Sequence, residues 1–160
     1  MLDSRRISRA YRRTAKQIAP ELPWVLSLTH EQRLLFRERG RVLAASLLQH
    51  LDATSPEAAE HHLDAATSSA SDYGSVAKSL GLSLSQTVEG FLRFRAPFHH
   101  ELAATARRRG FDTPETTDLL ETAERAMDRL LIATMRGHGE AASRRAKPDP
   151  ENSANAGAGT

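Results

Sequence analysis

Apolar residues recur at intervals of three and four along most of this chain, which is the spacing of one face of an α-helix. The first such segment covers about residues 4–19, and Pro20 and Pro23 interrupt the chain directly after it. A short apolar plug, Trp24–Leu26, follows. No segment shows the strict alternation of a strand and no internal repeat is evident, so the pattern predicts an all-α fold.

Start and stop signals divide the rest of the chain into further helices. Thr29–Gln32 and Ser83–Gln86 have the form of capping boxes, in which a hydroxyl and a side-chain amide three residues later cap the first turn. Pro56 after Ser55 marks another start. The remaining signals are Gly81 and Gly110 as C-terminal caps, and Asp112 with Glu115 around a last start. Together these signals predict a single-domain bundle of about five helices.

The predicted third helix carries a seam of mostly small residues on one face. Its members alternate spacings of four and three: Ala59, Leu63, Ala66, Ala70, Tyr73, Ala77 and Leu80. Small side chains allow close approach of another helix, in the same chain or in a partner. The seam therefore predicts tight helix packing and suggests a homodimer formed through this face.

The fourth segment, Ser83–Gly110, has a charge in the middle of its apolar stripe. On a helical wheel Arg95 falls among six apolar residues, and His99 lies at the edge of the stripe. Those apolar residues are Leu84, Val88, Phe91, Phe98, Leu102 and Ala106. Pro97 predicts a kink near Arg93.

A guanidinium in an apolar stripe needs a partner, since burying an unpaired charge is very costly. One interpretation is an internal ion pair with Asp64, Asp72 or Glu124, or an arginine whose head group reaches solvent. The other is a ligand site in which Arg95 and His99 hold a carboxylate or phosphate beside Phe91 and Phe98. Both interpretations remain open from the sequence.

Net charge is only +2, but residues 1–50 contain ten Lys or Arg against four Asp or Glu. The first segment concentrates this charge, and it could bind DNA or an anionic membrane, or pack against acidic neighbours. The residues of this candidate anion surface are Arg5, Arg9, Arg12, Arg13 and Lys16. Arg33, Arg37 and Arg41 extend the basic surface or form a solvated stripe.

Several classes of chemistry lack their sequence signals. The chain has no cysteine, which excludes disulfides and thiolate ligands. Glu57 and His61 lie one turn apart and could chelate a metal, but the members of the adjacent pairs His61–His62 and His99–His100 point about 100° apart, so one pair cannot easily supply two ligands. No nucleophile triad or phosphate-binding glycine loop occurs. We therefore expect no metal, no cofactor and no catalysis. No signal peptide or apolar run of membrane-span length is read, which favours a cytoplasmic protein.

Three regions follow from these patterns. Residues 1–28 form a basic helix and a proline-containing connector, residues 29–136 form the bundle, and residues 137–160 form a disordered tail. The tail is predicted from its lack of large apolar residues, which leaves it unable to offset the entropy of ordering.

The run Ser79–Phe98, SLGLSLSQTVEGFLRFRAPF, resembles the helical input domains of bacterial stress and transcription regulators. It is similar to the N-terminal domain of RsbR-type co-antagonists over about residues 30–136. That resemblance implies a globin-like fold without haem and a sensory role in a bacterial signalling system. It implies partnership with a regulatory protein or a second copy. The expected function is a non-catalytic sensory or interaction domain, with a DNA- or membrane-binding adaptor as the alternative.

Overall fold

The structure is a computed structural model that describes residues 22–146 and, before them, Arg5, Arg9, Arg12, Arg13, Lys16 and Gln17. The side chain of Phe94 lies outside that description. Within residues 22–146 the helices are α1 (Pro23–Leu26), α2 (His30–Leu51), α3 (Pro56–Ser79), α4 (Leu84–Arg108) and α5 (Thr113–Ala146). The six earlier residues also have helical backbone, and no strand occurs in the described part. The all-α bundle is confirmed.

The helices begin at the residues that the capping patterns predict. At the start of α2 the hydroxyl of Thr29 accepts from the Gln32 amide at 3.2 Å, and the Gln32 side chain accepts from the Thr29 amide at 2.9 Å. Ser83 and Gln86 form the same pair at α4. These bonds satisfy amides that the first turn of a helix otherwise leaves without partners.

The predicted glycine stops are confirmed as well. Gly81 and Gly110 have φ angles of 83° and 72°, a region that residues with a side chain rarely adopt. After the second glycine, the Phe111 amide donates back to the carbonyl of Ala106 at 3.1 Å. This is the closing bond of a glycine-capped helix end, and it turns the chain toward α5.

The tightest packing in the bundle joins α3 to α5, and two glycines make it possible. A Cβ on Gly74 would lie 1.9 Å from the backbone oxygen of Thr134, and a Cβ on Gly137 would lie 2.0 Å from that of Ser71. The predicted seam flanks this contact, with Ala66, Ala70 and Ala77 fully buried. The seam therefore packs against other helices of the same chain, and the homodimer stays a prediction.

The prediction that a disordered tail begins at residue 137 was wrong. Helix α5 continues to Ala146, with Gly137 and His138 buried. This stretch has few large apolar residues and was therefore predicted to be disordered. Its packing instead depends on a glycine, which lets two helix backbones approach more closely than large side chains would allow. His138 then ties the helix to the turn before α4, because its Nε2 lies 2.9 Å from the carbonyl oxygen of Leu82. Residues 147–160 lie outside the described residues.

The predicted apolar plug lies in α1, where Trp24 joins a second core cluster, Val25 packs against that cluster and Leu26 is 65% exposed. Trp24 packs edge-on against Phe36, with ring centroids 6.1 Å apart, and Phe36 in turn lies 4.6 Å from Tyr73. The Trp24 ring also fits over Gly90 of α4, where a Cβ would lie 3.2 Å from it. The connector is therefore held by α2, α3 and α4 together.

The closest neighbours in the bundle are α3 with α5, α2 with α3, and α4 with α5. This order leaves α2 and α4 on opposite sides of an open face. None of the described helices is long and apolar enough to cross a membrane.

Candidate functional site

A groove of about 620 Å³ runs between α2 and α4. Its volume lies within the range of pockets that bind small molecules, about 300–1,000 Å³. Tyr73 of α3 and Met127 and Leu130 of α5 contribute to its lining, and Arg12 and Lys16 reach it from the N-terminal residues. The other apolar or aromatic lining residues are Trp24, Val25, Leu26, Leu28, Leu34, Phe36, Leu43, Ala44, Leu47, Phe91 and Phe98.

The charged residues of the groove are almost all cations. Among the described residues, six Arg or Lys side chains and His30 line it, against one carboxylate, that of Glu38. Arg41 neutralises Glu38 in a two-point contact, with Nη2 to Oε1 at 2.6 Å and Nε to Oε2 at 2.9 Å. The hydrogen bond from Arg41 holds the pKa of Glu38 below its usual value. The groove therefore combines an apolar lining with a net positive charge.

Arg33 and Arg37 are the two other arginines of α2 in the groove lining, and the Arg41–Glu38 pair does not involve them. They lie one turn apart and both line the groove. Like charges at this spacing repel each other and slightly destabilise a helix. No carboxylate of the described residues forms an ion pair with either of them. An anion between them would relieve the repulsion.

Arg95 lines the groove from α4, but it also forms ion pairs with two acids of α5. Its Nη2 lies 2.7 Å from Oε1 of Glu124 and its Nη1 lies 3.3 Å from Oδ1 of Asp128. Of the three candidate partners named from the sequence, Glu124 is the right one. Asp64 instead pairs with Arg129 at 3.2 Å.

The Arg95 cluster has the character of a surface ion pair. The Glu124 and Asp128 side chains are 58% and 61% exposed, and that of Arg95 is 22% exposed. Pairs of this kind contribute about 1 kcal/mol or less, well below the cost of stranding a buried charge. Two carboxylates beside one guanidinium also disfavour a second anion there. Ligand binding by Arg95 stays a prediction.

The other predicted ligand residues divide between the groove and the helix packing. Phe91 and Phe98 line the groove and are 9% and 2% exposed. His99 is not part of the lining, and its buried Nε2 has no hydrogen-bond partner among the described residues. Burial lowers the pKa of His99, and the positive charge of Arg95 lowers it further.

Replacing His99 with glutamine should remove a pH-dependent loss of stability. Because the folded pKa is lowered, the unfolded chain binds a proton more readily at this residue. The wild-type protein should therefore lose stability as pH falls from the ordinary histidine pKa of about 6.5 toward the folded value. Denaturant unfolding of both proteins, at neutral pH and at pH of about 5, measures this effect: on acidification the wild type should lose more free energy of unfolding than His99→Gln does.

His100→Gln, at the exposed neighbouring position, is the matched control for the loss of an imidazole. It should retain the wild-type pH profile. A His99→Gln protein with the same pH profile as the wild type would contradict the assignment.

Only part of the predicted N-terminal anion surface belongs to the groove lining. Arg5, Arg9, Arg12, Arg13 and Lys16 are all exposed, and of these Arg12 and Lys16 line the groove. Arg33 and Arg37, which the sequence places on an extended basic surface or a solvated stripe, also line the groove. Their spacing of four residues was the available signal, because it places them on one face of α2 with buried Phe36 beside them.

Other kinds of site have less support. Among the described residues no group of three or more histidine, aspartate or glutamate side chains is placed to hold a metal ion. No protein-family model matches the sequence, and comparisons with curated proteins and with solved structures find no match. Function must therefore be argued from the groove itself.

Proposed function

We propose that this chain is a non-catalytic regulatory domain that binds an amphipathic anion in the groove between α2 and α4. The observation that carries the proposal is the combination of an apolar lining with an excess of cations. Such a surface desolvates an apolar ligand body while the cations attract its charged end.

The side chains of the groove favour binding over catalysis. Its only carboxylate, Glu38, is held by Arg41, and no serine, threonine or cysteine lines the groove among the described residues. A nucleophile paired with a base, the usual arrangement of covalent catalysis, has no counterpart there.

The position of the groove suits a sensory role. Helices α2 and α4 pack on the tight α3–α5 pair from different sides and face each other across the groove. A ligand that fills the space would bias the separation of α2 and α4, and a partner contacting both helices would detect the change. The proposed role is the one that the sequence resemblance to sensory domains of bacterial regulators implies, with output to a partner protein or a second copy.

Gly40→Leu tests the proposal with anilinonaphthalene sulfonate, a fluorescent amphipathic anion, as the probe. Among the described residues outside its own helical backbone, a Cβ on Gly40 would meet only Tyr73 Cε2, at 3.9 Å, so the larger side chain enters the groove without a clash against them. The substitution should weaken probe binding at least tenfold, about 1.4 kcal/mol, and should not lower the melting temperature, because leucine is the better helix former.

Gly139→Leu is the matched control, since Gly139 lies in α5 with open space around its Cβ position. It should bind the probe as the wild type does. Equal probe binding by all three proteins would overturn the proposal.

A second candidate function uses the exposed N-terminal arginines Arg5, Arg9 and Arg13 to bind DNA or an anionic membrane. Their exposure away from the groove lining favours it. Salt-sensitive retention on DNA or anionic vesicles that Gly40→Leu leaves unchanged would support this candidate.

A further inference from the structure

The geometry points to a single-chain fatty acid as the ligand, with its carboxylate between Arg33 and Arg37 and its acyl chain along α2 toward Leu47. The inference rests on the proposed function and narrows it to one class of ligand. It follows from the order of charged, small and apolar side chains along one wall of the groove.

The charged end of the groove lies in the first half of α2. Arg33 and Arg37 both line the groove, and successive turns of a helix bring such pairs within about 6 Å of each other at Cβ. A carboxylate has two oxygens and accepts charge-assisted hydrogen bonds from two guanidinium groups at once. Lys16 adds a third cation to the lining.

The charged residues on the α2 wall of the groove end one turn later. Arg41 is already occupied by Glu38, and beyond it the groove-facing residues of α2 are apolar. These residues are Leu43, Ala44 and Leu47, of which the last is 4% exposed. A ligand that enters with its charge at Arg37 therefore meets no free cation farther along this wall.

Small residues leave room for a chain at the transition. Gly40 and Ala44 lie one turn apart on the groove face of α2, and Phe91 and Phe98 of α4 line the groove with them. The distance along α2 from Arg37 to Leu47 is about 15 Å at the helical rise per residue. That length suits the extended acyl chain of a medium or long fatty acid.

The same layout disfavours other anions. A nucleotide or a DNA phosphate would leave the apolar half of the groove without a partner. A short carboxylate would use the arginines but would fill little of the groove and cover little of its exposed apolar lining, at Leu26 and Leu34, whose burial contributes about 25 cal/mol per Å². A free single-chain amphiphile is the occupant that uses both halves.

Displacement of anilinonaphthalene sulfonate tests the inference with three competitors. Dodecanoate has both the head group and the tail, butyrate has the head group with a short tail, and dodecyltrimethylammonium has the tail with the opposite charge. All are used below their micelle concentrations. Dodecanoate should displace the probe, and the other two should require at least tenfold higher concentrations.

Two substitutions and one control test the carboxylate end and the acyl end of the site separately. Arg37→Gln should weaken dodecanoate at least tenfold, whereas Arg39→Gln, an exposed position on α2 outside the groove lining, should not. Gly40→Leu should remove dodecanoate binding by blocking the acyl channel. These results together would support a fatty-acid site.

Several results would overturn the inference. Displacement by butyrate or by the cationic amphiphile at the same concentration as dodecanoate would exclude a fatty acid. So would phosphatidylglycerol vesicles that bind the protein while dodecanoate does not, which would indicate a membrane surface. In each case the proposed function survives if probe binding still depends on Gly40. Loss of that dependence removes the proposed function as well.

Discussion

Replacing Gly74 with alanine should lower the free energy of unfolding by about 3 kcal/mol or more, because the new methyl group has no space. Its carbon would lie 1.9 Å from the Thr134 carbonyl oxygen and 3.0 Å from the His138 amide nitrogen. Both are backbone atoms, so no side-chain rotation relieves the clash, and α3 and α5 must move apart. Denaturant unfolding monitored by circular dichroism measures the effect.

Gly139→Ala separates this steric effect from the general effect of alanine on a helix. In the described part of the chain, apart from the neighbouring backbone of its own helix, no atom lies within 4 Å of a Cβ at that position, which is also helical. Alanine favours helix over glycine by about 1 kcal/mol, so the control should be as stable as the wild type or more stable. A Gly74→Ala protein as stable as this control would show that the two helices do not touch there.

Introducing glutamate at Ala66 should cost about 3–5 kcal/mol, because it places an unpaired carboxylate in the core. Ala66 is fully buried within the main hydrophobic cluster, together with Leu63 and Ala70 of α3. Thermal and denaturant unfolding at neutral pH give the size of the effect. Burial raises the pKa of a carboxyl group, so the cost should decrease as pH falls from neutral toward the ordinary glutamate pKa of about 4.3, below which both the folded and the unfolded chain are protonated there.

Ala65→Glu is the adjacent control, since Ala65 is exposed on the same helix. It adds the same charge and side-chain entropy without burial, and its stability should lie within about 0.5 kcal/mol of the wild type. Equal stability of the two glutamate proteins would contradict the burial of the seam.

Helix boundaries were predictable wherever a local backbone bond determines them. The pairs Thr29–Gln32 and Ser83–Gln86, and the stop at Gly110, each involve residues a few positions apart, so the sequence displays the whole interaction. The end of α5 was not predictable in this way. Its last turns are stabilised by Gly137 against Ser71 and by His138 at Leu82, contacts between residues far apart in the chain.

The candidate site was predictable only in part, for a similar reason. The sequence shows that Arg95 lies on the apolar stripe of its helix, but not that Glu124 and Asp128 of another helix reach it. Phe91 and Phe98 were identified because they share that stripe. The importance of Arg33 and Arg37 depends on α2 and α4 standing apart, and a gap between two helices leaves no periodic signal in either one.

The contrast between the two sides of the bundle has a consequence for how such a protein can diverge. At the α3–α5 contact a single added methyl group has nowhere to go, so Gly74 and Gly137 allow almost no replacement. Across the groove, a larger side chain at Gly40 would meet only Tyr73 Cε2, at 3.9 Å, among the described residues. Under the proposed function, substitution at Gly40 would therefore change what the groove binds while the scaffold stays fixed. A change of ligand would then require no change of fold.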